Sequence, residues 1–310
     1  MLFATDPEYE PRIETYWALN TRLYPWCLVQ PENTAEVSTA VTALLGAGDG
    51  AGDWHIAVRS GGHHLAYTNN IDHGVTIDLG KMDQAVYDNE TNIASIGPGG
   101  RWKNVYAELH KQGVLVTGGR DGDVGVGGFL LGGGLTYFMG RQGFGVDSVK
   151  NFEVVLANGT VVNANSEENS DLWKALKGGG NNFGIVTRFD MEALPDKELA
   201  YGTRIMAANY SSELVDALSH FTDHFQEFDD DALVGLLQHN SSTDLDVMMA
   251  AIHVNTQGIH NSSGFEKLNQ IPPLVPDETQ SMSLAAAAED SQLPGNKWLV
   301  THPSMQDKKH

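Results

Sequence analysis

The stretch Gly118-Gly119-Arg120-Asp121-Gly122-Asp123-Val124-Gly125-Val126-Gly127-Gly128, followed after three apolar residues by Gly132-Gly133-Gly134, decides how this chain is read. Glycine weakens helices and strands alike, because it gives up the most backbone freedom on ordering. So dense a cluster marks either a flexible linker or a backbone that must come close to something. A linker is polar and serine-rich. This stretch instead interleaves Val124, Val126, Phe129, Leu130, Leu131 and Leu135, so close approach to a ligand is the favoured reading.

Two further glycine turns lie on either side of it. Upstream, Arg59-Ser60-Gly61-Gly62-His63-His64 follows the alternating pair Ile56 and Val58. Consecutive small residues in a turn aim several N–H groups to one side and form an anion nest. Arg59 adds charge and Ser60 a hydroxyl donor. Taken alone, this segment suits an ordinary tight turn with two exposed histidines even better. Downstream, Gly178-Gly179-Gly180-Asn181-Asn182 leads into Phe183–Phe189. Three such turns meeting around one extended ligand suit a dinucleotide, with its pyrophosphate and planar rings. The Gly-x-Gly-x-x-Gly and Gly-x-x-x-x-Gly-Lys-Ser/Thr fingerprints are absent, which disfavours a Rossmann site and a P-loop. So is the Gly-x-Ser-x-Gly elbow of an α/β-hydrolase, and no His/carboxylate spacing suggests a metal.

Composition narrows the partners. Apolar residues make up 41% and charged residues 19% of 310, which is globular composition. The formal charge of −21 argues against nucleic acid and against an anionic membrane surface. An anionic cofactor can still bind where uncharged backbone N–H groups supply the donors. No run of about 18 apolar residues encodes a membrane span. Cys27 stands alone, so no intramolecular disulfide forms. No secretory signal is visible, yet sequons occur at Asn89, Asn158, Asn209, Asn240 and Asn261, so secretion stays open.

Around the turns the chain reads as short elements. Asn33, with Glu36 at the capping-box position, starts a helix whose face holds Val37, Val41 and Leu44. Gly46 ends it, and a loop follows to Asp53. Val75, Ile77 and Leu79 alternate as a half-buried strand, and Ile93–Ile96 forms another. Trp102, Val105, Tyr106 and Leu109 share one helix face, closed by Gly113. Phe152, Val154 and Leu156 lead to Asn158-Gly159, a type I′ turn signal, and Val161-Val162 return. Ser170 caps a helix through Leu176. After Pro195 the glycine texture ends. The rest reads as strand Tyr201–Met206, helix Ser212–Phe225, strands Ala232–Gln238 and Leu245–Val254, a helix near Gly264–Leu268, and a frayed tail Gln306–His310.

In order and spacing, these segments resemble the FAD-binding domain of the vanillyl-alcohol-oxidase superfamily (the PCMH type), and within it the berberine-bridge-enzyme-like oxidoreductases of fungi. The residues that carry the resemblance are Val58-Arg59-Ser60-Gly61-Gly62-His63, Ile96-Gly97-Pro98-Gly99, Gly118-Gly119-Arg120, Val124-Gly125-Val126-Gly127-Gly128, Leu131-Gly132-Gly133-Gly134 and Gly179-Gly180-Asn181-Asn182-Phe183-Gly184-Ile185-Val186-Thr187. It implies an α+β fold. A lead-in covers 1–24, an FAD-binding domain 25–195, and a partial α+β substrate domain with an antiparallel sheet 196–310.

The resemblance also implies roles. His63 stands where the family's histidine is bonded to the 8α-methyl of the flavin; the alternative is a noncovalent flavin with His63 lining the site. Asp121 stands where doubly linked members have cysteine, so one link at most is expected, with Asp121 free to bond loop backbone. The pyrophosphate rests on backbone N–H groups around Ser60, Gly61 and Gly62. Gly125, Gly127 and Gly128 approach the flavin, Gly184 and Val186 hold the adenosine side, and Arg59, His64, Gly118, Gly119 and Val124 count among the cofactor-binding residues. The implied activity is transfer of hydride from an alcohol, sugar or amine-type substrate to flavin N5, with O2 as acceptor. The family continues beyond this chain's end, with a Tyr-x-Asn segment not found after residue 195. An impaired flavin-binding protein is therefore the alternative reading, and no catalytic base is assigned.

Overall fold

The computed structural model describes residues 1–46, 55–64, 68–238, 248–292 and 295. The expected loop to Asp53, the Asn240 sequon, the first residues of the strand read from Leu245, and the tail lie outside the described residues.

The first sheet contains β1 (Leu2–Phe3), β2 (Cys27–Val29), β3 (Ile56–Arg59) and β4 (Val75–Asp78), with helices α1 (Tyr9–Glu14) and α2 (Thr34–Gly46) between strands. Its order is β1-β2-β4-β3, and β4 runs parallel to both neighbours. Residues 1–24 are built into this layer: Ile13 and Tyr16 are wholly buried. Asn33 Oδ1 accepts the Glu36 N–H at 3.0 Å, which caps α2, and Val37 and Val41 turn inward. The half-buried reading of the Val75 strand is corrected. All four residues of β4 are buried, because it is a central parallel strand, and Leu79 already belongs to the following 3₁₀ turn. The polar members of β4 are satisfied: the Asp78 carboxylate takes Arg12 Nε at 2.6 Å and Nη2 at 2.7 Å.

The second layer holds β5 (Ala85–Asp88), β6 (Ile93–Ile96), α3 (Trp102–His110), β7 (Val114–Leu115), α4 (Val126–Leu131), α5 (Met139–Gln142), β8 (Val149–Val155), β9 (Val161–Asn165), α6 (Ser170–Leu176), β10 (Ile185–Glu192) and β11 (Leu194–Pro195). The sheet order β5-β6-β10-β8-β9 is antiparallel throughout, and β7 pairs with β11. Trp102, Leu109, Phe152, Val154 and Phe189 form its core. Val126 and Leu130 join them, so the apolar residues inside the glycine stretch anchor α4. The β8–β9 turn is not type I′, which needs two positive φ angles. Only Gly159 has one (82°), and its N–H donates to Leu156 O at 2.8 Å, giving a longer loop closed by a left-handed glycine. At α6 the N-cap is Asn169, in a left-handed conformation, and not Ser170.

The third layer holds β12 (Leu199–Ala207), α7 (Ser211–Asp223), β13 (Asp231–Gln238), β14 (Met248–Asn255), α8 (Glu266–Asn269), β15 (Gln280–Met282) and α9 (Leu284–Asp290). Its antiparallel order is β13-β14-β12-β15. Leu214, Met249, Ala251 and Leu268 pack α7 and α8 on one face. The sequence reading missed β15 and α9, and α9 matters for assembly. The Gly122 N–H donates to Ala288 O at 2.8 Å. The hydroxyls of Tyr137 and Tyr201 each lie 3.0 Å from Ser291 Oγ. The end of the third layer is thus fastened to the glycine stretch. The sequon residues Asn89, Asn158, Asn209 and Asn261 are exposed. Among the described residues no helix is long and apolar enough to cross a membrane.

Candidate cofactor site

The three glycine turns meet at a cavity of about 910 Å³, within the range of about 300–1,000 Å³ common for small-molecule sites. Ser60, Gly61, Gly62, His63, His64, Asp121, Val124, Gly125, Gly127, Gly128, Gly184 and Val186 all line it. Arg59, Gly118 and Gly119 do not.

The meeting is backbone on backbone. A Cβ on Gly61 would stand 2.5 Å from Gly125 Cα and N, so neither turn tolerates a side chain where they touch. Gly62 has φ of 72°, which glycine adopts without strain. Ser60 stitches the seam: its hydroxyl donates to Pro98 O at 2.6 Å and accepts the Gly127 N–H at 3.1 Å. Its proton, expected to serve an anion, is therefore committed to a carbonyl. The N–H groups of Gly61, Gly62 and His63 have no backbone acceptor among the described residues.

Arg59 turns away from the cavity. Its guanidinium donates to Arg12 O at 2.9 Å and Thr15 Oγ1 at 2.6 Å, and it lies over the Tyr16 ring. Burial pulls its pKa down to about 10. Gly118 and Gly119 face Trp102 and Tyr106, where a Cβ would collide with the indole. They let the chain cross the core and do not line the cavity.

Asp121 acts on the loop itself, its Oδ1 accepting the Asp123 N–H at 2.8 Å. His63 Nε2 lies 3.4 Å from Asp123 Oδ2, and the Trp17 ring centre is 5.7 Å from the imidazole. The hydrogen bond from His63, with Arg101 and Lys103 nearby, draws the Asp123 pKa down to about 2. Trp17, Asn69, Asp123 and Arg101 escaped the sequence reading. Trp17 arrives through the fold of the first layer, its N–H donating to Gly62 O at 3.1 Å, and no motif marks it. Asp123 stood inside the quoted stretch, but only the spatial nearness of residue 63 gives it meaning.

The arrangement suits FAD on the structure's own terms. Gly128 faces open space where a Cβ would meet nothing within 4 Å. Asn69 lines the cavity, and its buried Oδ1 has no hydrogen-bond partner among the described residues. No group of three or more potential metal ligands occurs among the described residues.

Comparison with known proteins agrees. The FAD binding domain family model matches residues 25–165. The chain is 40% identical over 241 residues to the FAD-dependent monooxygenase drtC of Aspergillus calidoustus, covering 77% of this chain and 46% of that one. It is 35% identical over 291 residues to the FAD-dependent monooxygenase sdcF of Emericella nidulans, covering 93% and 60%. Residues 25–165 thus match an FAD binding domain, and the chain is similar to FAD-dependent monooxygenases of fungi. It spans about half the length of the curated relatives it matches. Among solved structures, the chain superposes on 6-hydroxy-D-nicotine oxidase of Arthrobacter nicotinovorans with a TM-score of 0.80 at 21% identity, covering 95% of this chain and 64% of that one. Berberine bridge enzyme in complex with (S)-reticuline gives 0.74 at 20%, covering 93% and 60%. These likenesses establish the α+β, PCMH-type fold.

Proposed function

We propose that this oxidoreductase holds FAD along the cavity and passes a hydride from an alcohol, sugar or amine-type small molecule to flavin N5, with O2 as the final acceptor. The observation that carries the proposal is the convergence of three side-chain-poor turns, with N–H groups left over, on one cavity. Backbone donors suit a pyrophosphate in a chain of net charge −21, since they bind an anion without carrying formal charge. Gly61 and Gly62 would receive it, Gly125, Gly127 and Gly128 would lie against the flavin, and Gly184 with Val186 would flank the adenosine. FAD, when bound, supplies the two-electron acceptor; the protein supplies orientation and electrostatics.

In this reading His63 is bonded to the flavin 8α-methyl. Forming that link would replace one methyl C–H and one imidazole N–H by a C–N bond, with O2 taking the two electrons and two protons released. Such a link raises the flavin potential and favours substrate oxidation.

An absorbance spectrum before and after acid precipitation tests both parts. Yellow protein whose colour stays in the pellet, and is lost to the supernatant in His63→Ala, is the expected result. Colourless protein that takes up no FAD overturns the cofactor assignment. Colour released by acid from the wild type overturns the covalent link alone. Bleaching by candidate substrates, followed by return of colour in air, is expected of an active oxidase; stable yellow without turnover is the mark of an impaired flavin-binding protein.

A further inference from the structure

The imidazole of His63 has one nitrogen engaged and one open. Nε2 meets the Asp123 carboxylate at 3.4 Å, while Nδ1 has no hydrogen-bond partner among the described residues. Asp123 is itself held from three sides. Asp121 Oδ1 fixes the Asp123 backbone N–H at 2.8 Å, Lys103 Nζ lies 3.3 Å from Oδ1, and Arg101 Nη1 lies 3.7 Å from Oδ2 and also donates to the Asp123 carbonyl. Arg101 is largely buried under the glycine seam, its Nη1 3.2 Å from where a Gly61 Cβ would stand. The Trp17 ring lies beside the imidazole and limits its tilt. Tautomer and orientation of a working histidine are set by what its second nitrogen touches.

We propose that Asp123 is the positioning residue of His63: its carboxylate accepts the Nε2 proton, fixes the tautomer, and leaves Nδ1 as the nitrogen presented to the cofactor. The proposal rests on the use of His63 set out above. A nucleophilic nitrogen needs its lone pair free, and an imidazole has one such nitrogen when neutral. Without Asp123 both tautomers are open, and part of the population presents N–H to the cavity instead of a lone pair. Arg101 and Lys103 keep the carboxylate ionised and in place, so the acceptor persists across the ordinary pH range.

The bland alternative is that Asp123 only staples the turn through its two cations, and the two roles separate experimentally. Full-length wild type, Asp123→Asn, Asp123→Glu and Lys103→Met are purified from identical cultures. Acid-stable flavin per polypeptide is read by in-gel fluorescence, alongside total flavin. In parallel, the ¹⁵N shifts of His63 in the same chains produced without flavin, assigned by their loss in His63→Ala, report the tautomer before attachment. Expected for Asp123→Asn is a fall in acid-stable flavin of at least about tenfold, with total flavin kept and the Nε2–H tautomer no longer dominant. Asp123→Glu recovers part of the covalent fraction. Lys103→Met, which also removes a partner of the turn, leaves the tautomer unchanged. Equal acid-stable flavin and an equal tautomer in Asp123→Asn overturn the proposal, as does Lys103→Met matching Asp123→Asn in both readings. If the wild type holds no acid-stable flavin, covalent attachment fails, and the tautomer alone decides the role of Asp123.

Discussion

The seam between the glycine turns and the interior of the third layer are both tightly packed, but by opposite means. At the seam, Gly61 and Gly125 meet backbone to backbone, and one serine hydroxyl ties them to Pro98 and Gly127. In the third layer, long side chains reach across. Arg204 Nε holds Asp277 Oδ2 at 2.6 Å and its Nη1 donates to Leu268 O and Ile271 O, while Asp231 takes Asn255 Nδ2 at 2.7 Å and the Ser262 hydroxyl. Fixed main-chain atoms leave a ligand surface of N–H groups with no side-chain freedom to lose. In the side-chain network these groups satisfy one another and set the stability of the layer. The difference teaches where a single change is local and where it is not.

The largest expected effect on cofactor content tests the seam. Gly125→Ala puts a methyl against Gly61 N and Cα and the Ser60 hydroxyl, all of them fixed atoms. Overpacking of this kind costs about 1–3 kcal/mol and sometimes more, and the strain falls on the cofactor turn. Little bound flavin per polypeptide is expected, with a melting temperature several degrees lower. Normal flavin content in Gly125→Ala would show that the seam can open, and would break the contrast. Arg204→Ala is the counterpart in the third layer. Its partner Asp277 is left buried and unpaired, which costs about 3–5 kcal/mol, while flavin content per folded molecule stays at the wild-type level. Loss of flavin there would couple the two regions.

Titration sharpens the comparison next, because the buried acids of the two ends shift in opposite directions. Burial pushes the Asp78 pKa up, but the Arg12 hydrogen bond and the Arg59 and Arg12 charges outweigh it, and the net shift is downward. A depressed folded value means stability present above the ordinary carboxylate pKa and lost as pH falls through the folded one. The stability gap between wild type and Asp78→Asn, about 3–5 kcal/mol at pH 7, is expected to shrink below about pH 4. Asp231 shifts upward, mainly through burial, against the hydrogen bonds from Ser262 and Asn255. Its sign is reversed: stability is fullest below the ordinary carboxylate pKa and declines as pH rises through the raised one. Urea unfolding across pH 3–7 of wild type, Asp78→Asn and Asp231→Asn measures both slopes, and slopes of one sign would refute the contrast.

The seam was legible in the sequence because glycine leaves a mark that no other residue leaves. Ser60, Gly61 and Gly62, then Gly125, Gly127 and Gly128, stand in glycine clusters and take their roles from the family resemblance, and the fold brings them to one cavity. Arg59, Gly118 and Gly119 stood in the same motifs, but their neighbours in the sequence could not show that they face Tyr16 and Trp102. Contacts of long sequence separation were invisible for the same reason: Trp17 reaches His63, Asp123 reaches His63, and α9 returns to α3. Local signals failed where tertiary position overrode them. β4 alternates in hydrophobicity yet is buried on both faces, and Asn158-Gly159 has the composition of a tight turn but sits in a longer loop.

The smallest expected effect belongs to Asn69, which no motif announced. The residue lines the cavity, its Oδ1 is buried with no partner among the described residues, and its backbone carbonyl takes the Tyr16 hydroxyl at 2.9 Å. The main chain thus places the residue, and a small shift of the side chain would bring Oδ1 to a ligand. If FAD supplies the missing donor, Asn69→Ala removes one hydrogen bond, a net of about 0.5–1.5 kcal/mol. A covalent flavin would mask that loss, so the measurement belongs in a His63→Ala background, where FAD exchanges. A weakening of FAD binding of about two- to tenfold is expected, with the melting temperature of the cofactor-free chain unchanged or raised, since an orphaned acceptor has been removed. Unchanged affinity would mean that Asn69 Oδ1 faces water in the complex, and that the seam's N–H groups hold the cofactor without help from this wall.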